Sequence, residues 1–286
     1  MEKKAVILLS GGMDSATAMA VARSNGHELY ALSFDYGQRH KNELDRARKL
    51  AKFFKARDHK VLKIELGKLG GSALTDEAID VPDADGGWSG EKPIPATYVP
   101  ARNLVLLSIA AAYAETVEAG AIFIGANAID YSGYPDCRPE FLHAFEEVAR
   151  LGTKCGVSGR PLRIEAPLLH LSKAQIVRLG ASLLVPFEMT WSCYRGGTRP
   201  CGKCDSCLLR EKGFEEAGIP DPLVEQGESR IAHQRPRASG ISLHRRGGRD
   251  SREDDRRSSE SARGGSVAKR RSPGLEPGGF ARGRRQ

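Results

Sequence analysis

Apolar residues alternate between short runs and longer stretches along the first 185 residues of the chain. The short runs predict strands over residues 5–9, 28–34, 61–64, 121–125 and 163–166. The longer apolar or amphipathic stretches predict helices over residues 16–22, 41–54, 104–112, 139–151 and 172–179. This alternation predicts an α/β fold with a doubly wound parallel sheet that helices cover on both faces.

Local signals mark some of the helix ends and one long loop. Pro139 suits the first turn of its helix, Ser172 is a candidate N-cap, and Gly180 is a candidate stop signal. Residues 67–97 are rich in Gly, Asp and Pro, and a loop of that length is expected to be either functional or mobile.

The run Ser10-Gly11-Gly12-Met13-Asp14-Ser15 joins the first strand to the first helix. Backbone N–H groups and the helix dipole favour an anion at such a helix start, and the two glycines allow close approach. The serines add hydroxyl donors, and Asp14 can hold a magnesium ion that a polyphosphate carries. The run lacks the lysine and the spacing of a Walker A loop. An ordinary turn capped by Ser10 or Asp14 is the alternative.

Four of the six cysteines fall within 15 residues, as Cys193, Cys201, Cys204 and Cys207. Four thiolates at this spacing favour one structural, tetrahedral zinc ion. An iron–sulfur cluster and unligated thiols are the alternatives. Zinc would hold a small helical lobe, residues 186–225 with a helix over 208–217, on a nucleotide-binding domain of residues 1–185.

The basic charge of the chain belongs to its end. Residues 226–286 hold 16 Lys and Arg against 7 Asp and Glu, whereas residues 1–225 hold 28 against 29. The body therefore gives no electrostatic reason to expect a nucleic-acid partner. The Arg-, Ser- and Gly-rich tail is expected to be disordered, either as a nucleic-acid-binding arm or as an extension without function. With no apolar run of membrane-spanning length and no leader pattern, a cytoplasmic location is expected.

The Ser10–Ser15 run resembles the pyrophosphate loop of the ATP pyrophosphatase, or PP-loop, superfamily. Residues 33–40, 98–103, 130–138 and 190–194 then follow in the order seen in 7-cyano-7-deazaguanine synthases. The chain thus resembles this family over about residues 4–224. The resemblance implies an adenine nucleotide alpha hydrolase-like fold and a possible homodimer.

The resemblance also implies a reaction. A 7-carboxy-7-deazaguanine carboxylate would attack ATP to give an acyl adenylate and pyrophosphate, and ammonia would displace AMP to give an amide. A second ATP would activate the amide oxygen, and loss of AMP would leave the nitrile.

Residue roles follow from the same resemblance. Catalysis would involve Asp14 as the magnesium ligand, with Arg102 and Lys173 neutralising phosphate charge. The ATP loop would comprise Leu8, Leu9, Ser10, Gly11, Gly12, Met13, Asp14, Ser15, Ala16, Thr17 and Ala18. The substrate would contact Asp35, Gln38, Asp130, Tyr131, Tyr134, Asp136 and Arg138.

Each of these roles has a simpler alternative. Solvated charge would explain Arg102 and Lys173, and turn or loop chemistry would explain the substrate set. Cys137 is either a nucleophile or a packed thiol. Two other functions stay open: a PP-loop tRNA sulfurtransferase with an iron–sulfur cluster, and a non-enzymatic zinc-ribbon module that binds nucleic acid.

Overall fold

Five parallel strands form one sheet in the order β3-β2-β1-β4-β5. A computed structural model describes residues 3–39, 42–84, 94–128 and 133–223. The strands are β1 (Lys3–Leu8), β2 (His27–Asp35), β3 (Asp58–Lys63), β4 (Ala121–Phe123) and β5 (Arg163–Glu165). The order grows outward from β1 in both directions, which confirms the prediction of a doubly wound sheet.

Seven α-helices connect or follow the strands within the described residues. They are α1 (Met13–Ser24), α2 (Asn42–Phe53), α3 (Arg102–Val117), α4 (Pro139–Gly152), α5 (Lys154–Val157), α6 (Lys173–Ser182) and α7 (Asp205–Ala217). Short 3-10 turns lie at Leu66–Leu69, Pro135–Cys137 and Phe187–Met189.

Successive residues of the strands point into two separate cores, as the two-residue period of a strand requires. Ala5, Ile7 and Leu9 pack with buried residues of α1, α2, α6 and α7 on one face. Val6 and Leu8 pack with α3 and α4 on the other. The sheet is therefore covered on both faces, and its functional edge is the one at which the strands end.

Helix α6 begins as predicted but does not end at Gly180. Ser172 and Gln175 form a complete capping box at its start. The helix continues to Ser182, and a Cβ on Gly180 would meet the Phe187 ring at 2.5 Å and the Thr17 hydroxyl at 2.9 Å. Gly180 thus permits close packing of α6 on neighbouring elements and is not a stop signal.

The residues after α6 pack on part of the long loop. Ala73 and Val81 are buried in one cluster with Trp191, Cys193 and other cysteines. Arg195 donates a hydrogen bond to the carbonyl of Val81 at 2.7 Å. This part of the loop is thus a structural support, and the predicted tail lies outside the described residues. Among the described helices, none is both long and apolar enough to cross a membrane.

Candidate active site and metal centre

The Ser10–Ser15 loop is held by its own serines. The Ser15 hydroxyl accepts a hydrogen bond from the Ser10 N–H at 3.2 Å, lies 3.0 Å from the Ser10 hydroxyl, and donates to the Gly12 carbonyl at 3.0 Å. The Ser10 hydroxyl accepts from the Gly12 N–H at 3.2 Å. Gly12 is the N-cap of α1, and no side chain of the described residues caps it. The alternative of a simple cap by Ser10 or Asp14 is therefore wrong.

Neighbouring backbone sets the shape of this loop. Gly11 has a φ of +95°, and a Cβ there would lie 2.2 Å from the carbonyl oxygen of Glu43. Behind the loop, a Cβ on Gly125 would lie 2.8 Å from the Ser15 N–H nitrogen. Helix α2 and the end of β4 therefore both approach the loop more closely than a side chain would permit.

A cavity of about 260 Å³ opens beside the loop, between the ends of β1 and β4 where the strand order reverses. This reversal is the position at which doubly wound sheets bind ligands. The predicted ATP-loop residues that line the cavity are Leu8, Leu9, Ser10, Gly12, Met13, Asp14 and Ser15. Gly11, Ala16, Thr17 and Ala18 are buried outside the lining.

Asp14 and Lys173 form an ion pair in the cavity wall. The Lys173 ammonium lies 2.8 Å from the Asp14 Oδ2 atom, although 159 residues separate the two in the chain. The Asp14 Oδ1 atom is buried and has no hydrogen-bond partner among the described residues. A carboxylate oxygen in this state suits a hard cation such as magnesium, so the donor fits the predicted ion.

Arg102 lies across the cavity at the start of α3. Its guanidinium approaches the Tyr36 hydroxyl at 3.5 Å and the Tyr36 ring centroid at 5.9 Å. Burial opposes its charge, but Tyr36, Tyr134 and Cys137 around it raise the pKa of Arg102 overall. The same burial raises the pKa of Tyr36. A buried positive charge thus lines the same cavity as the Asp14–Lys173 pair.

Tyr134 and Cys137 line the cavity, whereas Asp136, which lies between them in the chain, is not among the lining residues. Asp136 is 5% exposed and its Oδ2 atom accepts a hydrogen bond from the Asn103 N–H at 2.8 Å, in the first turn of α3. Its Oδ1 atom has no partner among the described residues, and burial raises the pKa of Asp136. Burial and Asp136 raise the pKa of Cys137 to about 11, which keeps this thiol protonated. The structure therefore favours a packed thiol over a nucleophile.

Several predicted substrate residues lie away from the cavity. The Gln38 side chain is buried, donating to the Phe34 carbonyl and accepting from the Tyr36 N–H at 3.0 and 2.8 Å. Asp35 accepts from the Gly37 N–H at 3.3 Å, and exposed Arg138 donates to the Pro135 carbonyl at 3.2 Å. Asp130 and Tyr131 lie outside the described residues.

Among the cavity residues that escaped prediction from the sequence, Glu43 and Trp191 both contact the Ser10–Ser15 loop. Glu43, in the first turn of α2, lines the cavity, and its pKa is raised to about 8 by burial against an opposing effect of Arg102. Acidic residues are common in first turns, so no local pattern marks it. Trp191 also lines the cavity, and its backbone N–H donates a hydrogen bond to the Gly11 carbonyl at 3.0 Å.

The four clustered cysteines converge on one point. Their sulfur atoms all lie within 4.8 Å of one another, and those of Cys201 and Cys207 are 3.9 Å apart. A tetrahedral ion with bonds of about 2.3 Å to sulfur requires sulfurs roughly 3.8 Å apart. A disulfide requires about 2.05 Å, so the spacing suits a metal. The expectation of a four-cysteine metal site is thereby supported.

The electrostatics of the cysteine cluster also favour a bound metal ion. Hydrogen bonds from the Cys204 and Cys207 thiols lower the pKa of Cys193, while bonds to Cys193 and Cys204 raise the pKa of Cys207. Four thiolates whose sulfur atoms lie within 4.8 Å of one another would repel each other. A bound dication removes the conflict, because it attracts every thiolate.

The C-terminal segment that carries the four cysteines forms one wall of the cavity. Ser192, Tyr194, Ser206 and Leu209 line it from this side. Arg210 joins them, 4% exposed, and forms a bidentate ion pair with Asp221 at 2.6 and 2.8 Å. Helix α7 thus connects the cysteines to the nucleotide loop.

Comparison with known proteins agrees with this arrangement. The family model described as queuosine biosynthesis protein QueC matches residues 4–218. The chain is 62% identical over 225 residues to a 7-cyano-7-deazaguanine synthase of Anaeromyxobacter sp. (strain Fw109-5), covering 78% of this chain and 96% of the relative. A 7-cyano-7-deazaguanine synthase of Acetivibrio thermocellus is 57% identical over 221 residues, covering 77% and 97%. NMN synthetase of Francisella tularensis matches with a TM-score of 0.41 at 14% identity, over 77% of this chain and 88% of the other.

The family match spans three quarters of the chain, and these relatives are covered almost from end to end. The expectation of an enzyme and the resemblance drawn from the sequence motifs are both confirmed. The chain belongs to the queuosine biosynthesis protein QueC family.

Proposed function

We propose that the chain is an ATP-dependent ligase that converts 7-carboxy-7-deazaguanine and ammonia to 7-cyano-7-deazaguanine. The observation that carries the proposal is the paired Asp14 and Lys173 beside the glycine loop, in a chain 62% identical to a synthase of that name. A cation bound at Asp14 and the charges of Lys173 and Arg102 would stabilise the negative charge that develops on the phosphates.

Two activations would share this cavity. In the first, a carboxylate oxygen bonds to the α-phosphorus and pyrophosphate leaves. The carboxylate oxygen, a poor leaving group, can then depart as part of AMP. Ammonia then forms a C–N bond as AMP departs. In the second, the amide oxygen bonds to the α-phosphorus of another ATP and pyrophosphate leaves. Loss of AMP with two N–H protons then gives the nitrile.

The base of the substrate would lie at the Tyr134 side of the cavity. The Tyr134 ring lies 5.6 Å from that of Tyr98, and its hydroxyl is 2.9 Å from that of Thr97. An aromatic face supported in this way can stack on a heterocycle. The Oδ1 atom of Asp136, which has no hydrogen-bond partner among the described residues, can accept a hydrogen bond from an amino group. The proposal does not depend on Asp35, Gln38 or Arg138.

Zinc is the metal that the four cysteines would hold. The short sulfur separations favour one ion, because a cubane carries each thiolate on a different iron and needs them further apart. With all four positions filled by protein, such an ion would be structural and would leave no open position for substrate.

The test is incubation with ATP, magnesium, ammonium and 7-carboxy-7-deazaguanine, with mass detection of the nitrile and of AMP. Asp14→Asn should abolish AMP formation while the thermal unfolding curve is retained. Glu140→Gln, an exposed acidic residue in the first turn of α4, is the matched control and should leave both unchanged. Absence of AMP from the unaltered protein would contradict the proposal.

Metal analysis separates this function from the sulfurtransferase alternative. Purified protein should contain one zinc per chain and no visible iron–sulfur absorbance. Stoichiometric iron would favour the sulfurtransferase. Salt-dependent nucleic-acid binding with no ATP turnover would favour the zinc-ribbon module.

A further inference from the structure

Glu43 has a fixed position relative to the nucleotide loop. Its backbone carbonyl packs against Gly11 so closely that a Cβ on Gly11 would lie 2.2 Å away. Glu43 lines the same cavity as Asp14, Lys173 and Arg102, and its carboxyl group is close enough to Arg102 for that charge to lower the pKa of Glu43 against the effect of burial. The carboxyl group of Glu43 therefore belongs to the cavity wall, on helix α2, which also packs against the Ser10–Ser15 loop.

The proposed reaction, on which this inference rests, releases protons from nitrogen at two stages. Attack of ammonia on the acyl adenylate forms the C–N bond and leaves an extra proton on nitrogen. That proton must depart as the C–O bond to AMP breaks. The adenylated amide then loses two further N–H protons as its own C–O bond breaks and the nitrile forms. No oxidant or reductant is needed, but a proton acceptor is.

The charged and titratable groups that share the cavity wall with Glu43 come from every side of it: Asp14, Tyr36, Arg102, Tyr134, Cys137, Lys173, Tyr194 and Arg210. Asp14 is paired with Lys173 and is the proposed ligand of the cation, and Arg102, Lys173 and Arg210 have no lone pair to offer while charged. Burial keeps Tyr36 and Cys137 protonated near neutral pH.

We propose that Glu43 is a catalytic residue that accepts the protons released from nitrogen in the amide-forming and nitrile-forming steps. In the amide-forming step the carboxylate takes one proton from nitrogen as the C–O bond to AMP breaks. In the nitrile-forming step it takes the first proton from the adenylated amide, returns it to solvent, and takes the second as the C–O bond to AMP breaks. Its raised pKa of about 8 gives it a proton affinity near the working pH, where general bases are most effective. Arg102 opposes that rise and maintains an ionised fraction.

The proposal is tested with Glu43→Gln, which keeps the shape of the side chain and removes the basic oxygen. Adenylation moves no proton to this residue, so substrate-dependent exchange of labelled pyrophosphate into ATP should stay within about threefold of the unaltered protein. Ammonia-dependent amide and nitrile formation should fall by roughly 10²–10⁴-fold. Hydroxylamine is a less basic nucleophile, so its attack leaves a proton that water can accept without a general base. Glu43→Gln should therefore still form the hydroxamate.

The pH profile gives a second readout. Turnover by the unaltered protein should rise with pH through a limb near 8, and Glu43→Gln should lack that limb. Glu140→Gln, with an exposed first-turn glutamate on α4, should retain it. Full ammonia-dependent turnover by Glu43→Gln would overturn the proposal, as would equal loss of exchange and hydroxamate. Failure of the unaltered protein to exchange pyrophosphate would instead overturn the proposed function.

Discussion

Two independent constraints meet at Gly11. The residue has a φ of +95°, a conformation that L side chains rarely adopt, and its hydrogens face the carbonyl of Glu43. Its own carbonyl accepts the N–H of Trp191. The loop therefore takes its shape from two segments distant in sequence as well as from its own glycines.

Gly11→Ala should weaken ATP binding by at least tenfold, because the added Cβ forces the loop and the start of α2 apart. Gly26→Ala is the matched control, since Gly26 has a φ of +78° with open space around it. Both changes should lower the melting temperature through strain of about 1 kcal/mol or more. Only the first should raise the Kd for ATP in calorimetric titration; equal affinities in the two variants would contradict the steric argument.

Residue types and local spacing predict some side-chain roles and miss others. The glycines, serines and Asp14 of the loop act within six residues, so the sequence displays them. Asp136 bonds to Asn103, 33 residues away, and its burial depends on how β4 and α3 pack. Glu43 enters the cavity for a similar reason, because α2 docks on Gly11. Tertiary contacts of this kind have no signature in a single sequence.

Helix α7 positions Lys173 of α6. The stem of Lys173 passes over Gly213, where a Cβ would lie 2.5 Å from the Lys173 Cγ atom. The ammonium beyond that stem reaches Asp14 at 2.8 Å. Helix α7 therefore packs directly against the lysine that pairs with Asp14.

Gly213→Ala should lower kcat/KM for ATP by on the order of 100-fold, because a shift of about 1 Å in a positioning group has effects of that size. Replacing glycine with alanine at a helical position where the added Cβ meets no neighbouring atom would instead stabilise the helix by about 1 kcal/mol. Gly152→Ala in α4, with nothing within 4 Å of the added Cβ, provides that comparison and should leave turnover unchanged. Steady-state kinetics on the two variants decides the point.

Metal removal should weaken ATP binding, because Trp191 connects the cysteine site to the loop. Its ring N–H donates to the Cys193 carbonyl at 3.0 Å, and its backbone N–H donates to Gly11 at 3.0 Å. Chelation should therefore raise the Kd for ATP, and by reciprocity ATP should slow the loss of metal to a chelator.

A spectroscopic readout is available for the same prediction. The chain has two tryptophans, so Trp88→Phe leaves Trp191 as the remaining one. Its emission should respond both to ATP and to chelation, and metal restoration should reverse the second change. Unaltered emission and affinity after complete metal removal would show that the two sites are independent.

At the scale of elements, periodicity predicted most of the sheet and its helices. Ends were less well predicted, since α3 extends from Arg102 to Val117 where the apolar run covers 104–112. Beyond the apolar run the helix continues through buried Tyr113 and Ala114, and the polar Glu115 and Thr116 that follow interrupt the apolar pattern before the helix ends. The role of the long loop, residues 67–97, could not be predicted from the sequence. The contacts through which it supports Trp191 and the cysteines join residues more than 100 positions apart.

Considered as a whole, the chain separates near residue 224 into parts of different character. The family match ends at residue 218. The relatives align over 221–228 residues, which cover 94–97% of their own lengths. The first 225 residues are nearly neutral, and the remaining 61 carry the basic charge. The body should therefore fold and react without the tail.

A chain that ends after Val224 should keep the melting temperature and nitrile synthesis of the full chain and lose only salt-dependent binding to nucleic acid. A chain that ends four residues earlier, after Pro220, should behave differently because it lacks Asp221. Arg210 is 4% exposed and would keep a buried charge without its counter-ion, at a cost of about 3–5 kcal/mol. Its melting temperature should fall by on the order of 10 °C. Asp221→Asn in the longer chain should reproduce much of that fall, which separates the lost charge from lost length. Equal stability of all three chains would mean that the Arg210–Asp221 pair does not anchor the C-terminal lobe.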